Sequence, residues 1–305
     1  MSTREQLLAL NDELRRLKAG GQRAVAVTEE GMAHLRAAVA EVQEVSITER
    51  SSAGSGAVAA IPVTDSRKAE PAPAPAVSAR PDLVLPEGDK QSRWYFVRDL
   101  VLNDQTCRGH VHPGKQVVFG VGNLDAAIMF VGEAPGGDEE EQGEPFVGRA
   151  GQLLNKMIKA MGLERSQVYI GNILNWRPAM GVRNPDGSQT GNRPPTAAEM
   201  AYCLPFIRAQ IAIIQPKVIV ALGKTAVDGL LGADRFKSMG AARGAWHSYA
   251  DTPLRASYHP SYLLRQEGLT SIAAKKIKRD AWEDMLAAME RAGVPVSEKQ
   301  RNYFL

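Results

Sequence analysis

The sequence predicts an α/β protein built on a central parallel sheet of about four strands that is covered by helices. Three observations lead to this prediction. Apolar runs of strand length alternate with longer helical patterns, an order that implies parallel pairing through right-handed crossovers. A glycine-rich loop directly follows one of these runs, as ligand-binding loops do at the carboxyl ends of strands. The 305 residues are 44% apolar and 23% charged, which is ordinary for a globular protein.

Each element of this fold is predicted by a local pattern. The four strand candidates are apolar runs at residues 127–132, 168–174, 217–222 and 254–258. The helix candidates are amphipathic or apolar segments at residues 92–97, 150–161, 196–214, 224–231 and 273–292. A long insert at residues 177–195 is rich in Gly, Asn, Asp and Pro, and loops of this length are usually functional or mobile.

Two segments precede the folded domain, which we expect at residues 91–305. Residues 1–45 carry leucines at helical spacing among charges, which predicts a small helical N-terminal element. This element is either a piece that docks another protein or self-associates, or a weakly folded tail. Residues 46–90 are rich in Pro, Ala and Ser, so they bury too little apolar area to offset their ordering entropy and are predicted to be a disordered linker.

Charge and cysteine content limit the environment and the partners. The formal net charge of +3 does not by itself indicate nucleic acid, although a local basic face is compatible with it. Two cysteines, Cys107 and Cys203, cannot build a disulfide framework and indicate a reducing compartment. The polar N-terminus lacks the apolar core of a signal peptide, and we expect no membrane-spanning stretch. We therefore expect a cytoplasmic protein, monomeric and without a membrane partner.

The loop at Gly132–Gly148 is the most informative stretch of the chain. Its glycines allow close approach of a ligand to the backbone, and the helix that follows points free N–H groups at it. Six acidic residues make it a poor phosphate site, which disfavours a nucleotide-binding module: Glu133, Asp138, Glu139, Glu140, Glu141 and Glu144. The loop predicts carboxylate chemistry or hydrogen bonding to a neutral ring.

Two further segments stand at the ends of strand candidates, at residues 169–178 and 257–265. Taken alone, Asn172 is typical of a turn or cap, and the pair His259-Pro260 is typical of a strand terminator. The carboxyl ends of parallel strands meet at one edge of a sheet, so we expect both segments to lie beside the acidic loop.

At these residues the chain resembles the uracil-DNA glycosylase superfamily, and most closely its type-4 branch. The matching segments are Gly132-Glu-Ala-Pro-Gly136, Gly143-Glu-Pro-Phe-Val-Gly-Arg-Ala-Gly-Gln-Leu-Leu154, Asn172 in its strand, and His259-Pro-Ser-Tyr-Leu-Leu-Arg265. The resemblance covers about residues 117–289. It implies a three-layer α/β/α sandwich and an enzyme that releases uracil from DNA and leaves an abasic site, which initiates base excision repair.

The resemblance implies a role for three pocket side chains. Phe146 stands at the position of the family's stacking platform for the flipped base. Asn172 can pair with O4 and N3 of uracil through one amide, an arrangement that cytosine does not match. His259 stands where the family's histidine donates to O2 and stabilises the departing anion.

The group that positions the attacking water is less clearly marked. Gly132 and Ala134 line the base in the resembling proteins, and backbone N–H groups around Glu133 and Ala134 would contribute at O2. Ala134 stands where the best-known relatives have an aspartate. The type-4 pattern favours Glu139 as the carboxylate that replaces it, with Glu133 as the second candidate; solvated loop charges are the alternative.

The last matching segment implies contacts with DNA. Leu263 and Leu264, after Ser261, are placed where the family inserts an apolar wedge into the vacated stack. Arg265 and the basic cluster at residues 275–279 are candidates for phosphate contacts, although such a cluster is as typical of a solvated helix face.

The resemblance breaks at the family's iron–sulfur cluster, which type-4 members hold with four cysteines. Only Cys107 and Cys203 fall near the expected positions, and Trp176 stands where a third cysteine would be. His110, with His112 as another option, makes a Cys-x-x-His half-site conceivable. Because such clusters normally need four thiolates, we predict no 4Fe–4S cluster and no other cofactor, with Trp176 packed in the vacated space and Cys203 as a buried helix residue.

We therefore predict a DNA N-glycosylase that acts on uracil-containing DNA. One alternative is a non-catalytic or covalent uracil-DNA-binding protein of the same fold, because Ala134 lacks the familiar carboxylate. Another is a glycosylase for a different deaminated base, hypoxanthine or xanthine.

Overall fold

The computed structural model describes residues 79–180, 189–266 and 271–304. The predicted N-terminal element at 1–45 and most of the predicted linker at 46–90 lie outside these residues. Within them the structure confirms an α/β fold with helices on both faces of a central sheet.

The sheet has six strands in the order β1-β3-β2-β4-β6-β5. Their bounds are Val121–Gly122, Ile128–Gly132, Tyr169–Asn172, Val218–Leu222, Trp246–Tyr249 and Thr252–Ser257, for β1 to β6. The four central strands, β3, β2, β4 and β6, are parallel and correspond to the four predicted ones. The two edge strands pair antiparallel, so the sheet is mixed rather than purely parallel.

The sequence pattern did not predict the two edge strands, and each was missed for a physical reason. β1 is only two residues long, too short to show a period. β5 exposes alternate side chains to solvent and lacks the continuous apolar run of the buried strands.

Ten α-helices occur in the described residues. For α1 to α10 their bounds are Lys90–Asn103, Gln105–His110, Gly137–Gln142, Arg149–Ala160, Ala197–Ile214, Lys224–Leu231, Met239–Ala242, Pro260–Arg265, Ile272–Ala292 and Glu298–Arg301. The predicted helices correspond to α1, α4, α5, α6 and α9. The five missed helices are six residues long or shorter, so they show little helical periodicity.

The core forms one layer on each face of the sheet. Side chains of successive strand residues point to opposite faces, so Ile128 and Phe130 pack under α4 and α9, while Met129 and Val131 pack under α5 and α6. Burial on both faces explains why the central strands read as continuous apolar runs.

Helix α5 corrects one expectation from the sequence. By length and composition it is apolar enough to cross a membrane, contrary to the expectation that no such stretch exists. Ten of its 18 residues are buried within the domain, including Phe206, Ile207 and Ile211. Its apolar character therefore belongs to the core, where it packs against the sheet and α1.

The end of the predicted linker packs against the domain. Arg80 bonds to Asp104 and to the Tyr202 hydroxyl, and it lies 4.9 Å from the centre of the Phe206 ring. Asp82 pairs with Arg208 at 2.9 Å. Within the described residues, contacts with the domain are therefore already present at Arg80, before the predicted boundary at residue 90.

Candidate active site

A cavity of about 840 Å³ opens at the carboxyl edge of the parallel strands. Strand register places its parts together, because Gly132 of β2 pairs with Asn172 of β3, and Leu222 of β4 pairs with Ser257 of β6. The acidic loop, the end of β3 and the residues after β6 therefore line one space, as predicted from the sequence.

Gly132, at the end of β2, does not line the cavity itself but lies directly against two side chains that do. A β-carbon added here would lie 2.5 Å from Asn172 Oδ1 and 2.5 Å from two carbons of the Phe146 ring. Only glycine lets these two side chains close over the end of β2. Gly132 is therefore needed because it has no side chain, which leaves room for Asn172 and Phe146 to pack together.

Phe146 is held in the cavity wall by its backbone. Its φ of 55° is uncommon for a residue with a side chain, and such strain persists only where surrounding contacts enforce it. The Phe146 carbonyl lies against Gly151 of α4 and accepts from Arg165, which also donates to the Pro145 carbonyl at 2.6 Å. Arg165, absent from the sequence prediction, thus helps fix the Phe146 ring, which is 4% exposed.

Asn172 presents an unsatisfied acceptor to the cavity. Its side chain is 6% exposed, and its Oδ1 is buried without a hydrogen-bond partner among the described residues. An unpaired buried carbonyl costs about 1–3 kcal/mol, a cost that a ligand donor would remove. The arrangement fits a partner that offers an N–H at this position.

His259 is held as a neutral donor. The backbone N–H of Ser261 donates to its Nδ1 at 3.2 Å, and the Ser261 hydroxyl lies 2.8 Å from the same atom. Because Nδ1 accepts, the ring proton is on Nε2. Burial, aided by the positive charge of Arg265, lowers the pKa of His259 to about 4. At neutral pH the ring is therefore an uncharged hydrogen-bond donor, with its centre 5.6 Å from that of the Phe146 ring.

This lowered pKa makes a testable prediction. In an NMR titration the ring protons of His259 should shift with a midpoint near pH 4 rather than near 6.5. Since the unfolded chain binds the proton more tightly, the stability from the neutral ring is complete above about pH 6.5 and is lost as the pH falls toward 4. A midpoint near 6.5 for His259 would contradict the burial of a neutral ring at this position.

Glu139 lies in the cavity wall, but its carboxylate is largely occupied. Oε1 accepts from the backbone N–H groups of Val147 and Gly148 at 3.0 and 2.9 Å, and Oε2 accepts from Gly136 at 3.0 Å. These bonds tie the two ends of the acidic loop together. The predicted water-guiding residue is therefore also the residue that shapes the loop.

Glu133, the second candidate, has a freer carboxylate. The Thr225 hydroxyl donates to its Oε2 at 2.5 Å, and both residues line the cavity. Burial raises the pKa of Glu133, against the lowering effect of the Thr225 bond. Neighbouring Ala134 also lines the cavity and packs against the apolar cluster beneath α1, so it contributes shape and a backbone N–H but no acid.

Glu140, which appeared to be one of several loop charges, anchors the loop from below. It is 3% exposed, accepts from Arg177 Nη1 at 2.9 Å, and lies 2.8 Å from His112 Nδ1. Arg177 also donates to Asn192 at 2.8 Å and to the Gly191 carbonyl at 2.8 Å. The described ends of the 177–195 insert are therefore joined to the acidic loop through one buried cation. Sequence spacing gives no signal for this network, since its members lie far apart in the chain.

Removing this anchor should destabilise the domain. We expect Glu140→Ala to lower the free energy of unfolding by about 3–5 kcal/mol, because it leaves Arg177 buried without its carboxylate. Urea denaturation measures the change. Glu141→Ala is the matched control: its side chain is 67% exposed, so a change within about 0.5 kcal/mol is expected. Equal effects of the two substitutions would contradict the assigned network.

The residues predicted to contact DNA lie in and around the short helix α8. Ser261 and Arg265 line the cavity. Leu263 is 6% exposed and packs toward α4 and α9, while Leu264 keeps a partly exposed side chain. As placed here, Leu264 is the better positioned of the two predicted wedge residues. The wedge itself stays a prediction.

The region of the predicted cluster cysteines is filled by side chains. Cys107 and Cys203 are buried, free thiols, and a hydrogen bond to Cys203 together with burial raises the pKa of Cys107 far above its usual value. Trp176 is fully buried beside them and stacks on His110 with ring centres 4.6 Å apart. His112 is engaged by Glu140.

These residues do not fit a 4Fe–4S cluster. Four thiolates are normally needed, the chain has two, and the described residues contain no metal-binding group of three or more His, Cys, Asp or Glu. We predict that the purified protein carries far less than stoichiometric iron, measured by plasma mass spectrometry together with visible absorbance. Stoichiometric iron with sulfur-to-iron charge-transfer bands would contradict this prediction.

The comparisons with known proteins agree with this geometry. The uracil DNA glycosylase superfamily model matches residues 119–286, more than half of the chain. The type-4 uracil-DNA glycosylase of Thermotoga maritima is 38% identical over 62% of this chain and 90% of its own length. Type-4 enzymes of Pyrobaculum aerophilum and Sulfurisphaera tokodaii are 34% and 38% identical, over 57% and 53% of this chain and 85% and 72% of their own lengths.

The fold and the site thus define an α/β protein in which a neutral histidine donor and an asparagine amide line one cavity. The chain belongs to the uracil DNA glycosylase superfamily.

Proposed function

We propose that this protein is a uracil-DNA glycosylase that hydrolyses the bond between uracil and deoxyribose in DNA. The observation that carries the proposal is the pair of polar groups aimed at one cavity. No donor among the described residues reaches Asn172 Oδ1, and His259 has its proton on Nε2. Uracil offers both complements, an N3–H donor beside O4 and the acceptor O2. Phe146 supplies an aromatic face between them.

The cavity explains how the bond would be weakened. A uracil turned out of the duplex can reach these groups, whereas a stacked one cannot. As the bond between N1 and C1′ breaks, its electron pair stays on the base and charge develops at O2. The His259 N–H donates to that oxygen, and an uncharged donor in a water-poor pocket stabilises the anion without being deprotonated.

A water molecule then adds to C1′ of the sugar cation and loses a proton, which leaves uracil and an abasic site. We propose Glu133 as the group that positions this water, since Thr225 holds only one of its oxygens. The Glu139 carboxylate already accepts hydrogen bonds from three backbone N–H groups, and only one of its oxygens has room for another donor. Its role is therefore to hold the loop that carries Glu133 and Phe146.

Specificity for uracil rests on Asn172. Its amide offers an acceptor next to a donor, which matches N3–H and O4 of uracil. Cytosine exchanges donor and acceptor at both positions, so its binding would leave buried polar groups unpaired. Sites built in this way discriminate by roughly 10⁴–10⁵-fold.

An oligonucleotide panel tests the proposal. The purified chain is incubated with oligonucleotides that contain one uracil, hypoxanthine or xanthine, and alkali then cleaves the strand at abasic sites. Cleavage at uracil is expected. Cleavage only at hypoxanthine or xanthine would assign a different deaminated base, and tight binding of uracil-DNA without cleavage would support the non-catalytic or covalent binder that Ala134 suggests.

Three further proposals rest on the sequence. We propose that the protein acts as a monomer in the cytoplasm, supported by its ordinary charge and two free thiols. We also propose that residues 1–45 dock another protein. Light scattering after size-exclusion chromatography tests the monomer, and pull-down with and without residues 1–45 tests the docking.

A further inference from the structure

The cavity offers more room than a single pyrimidine ring requires. Its volume of about 840 Å³ lies near the upper end of the roughly 300–1,000 Å³ that is typical of pockets for much larger ligands. Phe146, Asn172 and His259 account for one part. The rest is lined by residues 192–194, 223–225 and 238–240 and, at and beside α8, by Tyr258, Tyr262 and Arg265; we call the part at Tyr258, Tyr262 and Arg265 the extension.

Two tyrosines pack together here, and an arginine lies against each of them, Arg243 behind the cavity wall and Arg265 in it. The rings of Tyr258 and Tyr262 lie 5.1 Å apart with an interplanar angle of 38°. Arg243 lies 4.2 Å from the centre of the Tyr258 ring, and Arg265 lies 5.6 Å from that of Tyr262. Both distances are within the range of cation–π contacts. Arg243 is itself fixed by a 2.7 Å bond to buried Asp284, so the support behind Tyr258 is rigid.

Tyr262 is placed by its neighbours in α8. Its backbone N–H donates to the His259 carbonyl at 2.8 Å, which couples its position to that of the proposed catalytic histidine. The next residue, Leu263, is buried toward α4 and α9 and so anchors the helix. With Leu263 turned inward, Tyr262 is directed to the cavity and keeps a partly exposed ring.

We propose that Tyr262, backed by Arg265, is a stacking platform for a DNA base next to the uracil, a subsite that deepens the proposed function and rests on it. Aromatic rings with adjacent arginines bind single-stranded bases in a sequence-tolerant way, and each stacked base contributes about 1–3 kcal/mol. A nucleotide joined to the flipped uridine is the ligand that must enter such an extension. Arg265 beside it also meets the phosphate between the two nucleotides.

A coupling experiment between protein and DNA tests this subsite. The substrates are single-stranded oligonucleotides with one uracil, in which the base on the 5′ or the 3′ side is kept or replaced by an abasic spacer. For the wild type, a spacer on one side should lower kcat/KM of uracil release roughly 5- to 150-fold. Tyr262→Ala should show the same loss with the intact substrate and no further loss with the spacer. Tyr262→Phe should keep the sensitivity to the spacer.

Controls separate the possible failures. Tyr95→Ala, at a 49% exposed tyrosine on α1, should behave as the wild type. If Tyr262→Ala does not fold, Arg265→Ala and the wild-type spacer series still test the subsite. The Arg265→Ala variant should then lose part of its sensitivity to the spacer. Independent, additive losses from Tyr262→Ala and the spacer, or a wild type insensitive to spacers on both sides, would overturn the platform. A wild type that releases no uracil from any substrate would instead overturn the proposed function.

Discussion

Replacing His259 by alanine should lower kcat for uracil release by roughly 10²–10³-fold, the effect of losing one donor to a developing oxyanion. The hydrogen bond from the Ser261 N–H fixes the ring proton on Nε2, and the lowered pKa means that the ring is uncharged at neutral pH. Because negative charge develops at O2 only as the bond breaks, the ring contributes mainly in the transition state. The loss should therefore fall on kcat under single-turnover conditions, with a small effect on DNA affinity.

His247→Ala is the matched control for this prediction. His247 is partly buried on β5 and bonds to the Ala242 carbonyl at 2.7 Å, far along the chain from the acidic loop. Its removal should leave the rate of uracil release unchanged. A rate for His259→Ala within a few-fold of the wild type would refute the role of the histidine as the O2 donor.

The second large effect is expected for Asn172→Leu, which replaces the amide by an apolar group of similar shape. A bound uracil would then bury N3–H and O4 without partners, at about 1–3 kcal/mol each, so release should slow by roughly 10²–10⁴-fold. The folded protein, in contrast, loses a buried carbonyl that has no partner in the described part of the chain. Its free energy of unfolding in urea should stay the same or rise by about 1 kcal/mol.

Asn175, three residues along the chain, differs from Asn172 in that its Nδ2 has a backbone partner, although its Oδ1 is likewise buried without a partner among the described residues. It is 3% exposed, and its Nδ2 donates to the Val118 carbonyl at 2.9 Å. Asn175→Leu should thus lower stability by about 1–3 kcal/mol, because the Val118 carbonyl is left buried without its donor. If Asn172→Leu destabilises the fold as Asn175→Leu does while the enzyme keeps its rate, Asn172 is structural.

The buried half of the fold was predictable from the sequence, because burial on both faces leaves a visible pattern. The runs that contain Phe130 and Val220 read as strands, and Thr196 followed by Glu199 marks the start of α5 with a capping box. Edge strands and single-turn helices gave no such pattern. β5 is half exposed, and α8 begins at a proline directly after the His259 cap.

The candidate site was predictable where one motif carries the chemistry. Gly132, Asn172 and His259 stand at or just after strand ends and Phe146 lies in the loop that follows β2, and the register of β2 with β3 brings Gly132 and Asn172 together as expected. The side-chain contacts that hold the site residues in place were not predictable. Glu140 with Arg177, and Glu133 with Thr225, are joined by folding over 37 and 92 residues of chain, and no local period reports such pairs.

Within the acidic loop, the sequence alone does not show which role each carboxylate has. Glu139, Glu140 and Glu141 are consecutive and chemically alike, yet one shapes the loop, one anchors it and one faces solvent. Helical geometry turns each in a different direction. Which of them meets solvent depends on what packs beneath α3, and that is decided by residues distant in the chain.

The most direct measurement is free uracil, quantified by mass spectrometry after single-turnover incubation with a uracil-containing oligonucleotide. The wild type should release one uracil for each oligonucleotide and leave an abasic site, while the double variant Asn172→Leu/His259→Ala should release almost none. Uracil release by the double variant at the wild-type rate would contradict the assigned site, and no release by the correctly folded wild type would contradict the proposed activity.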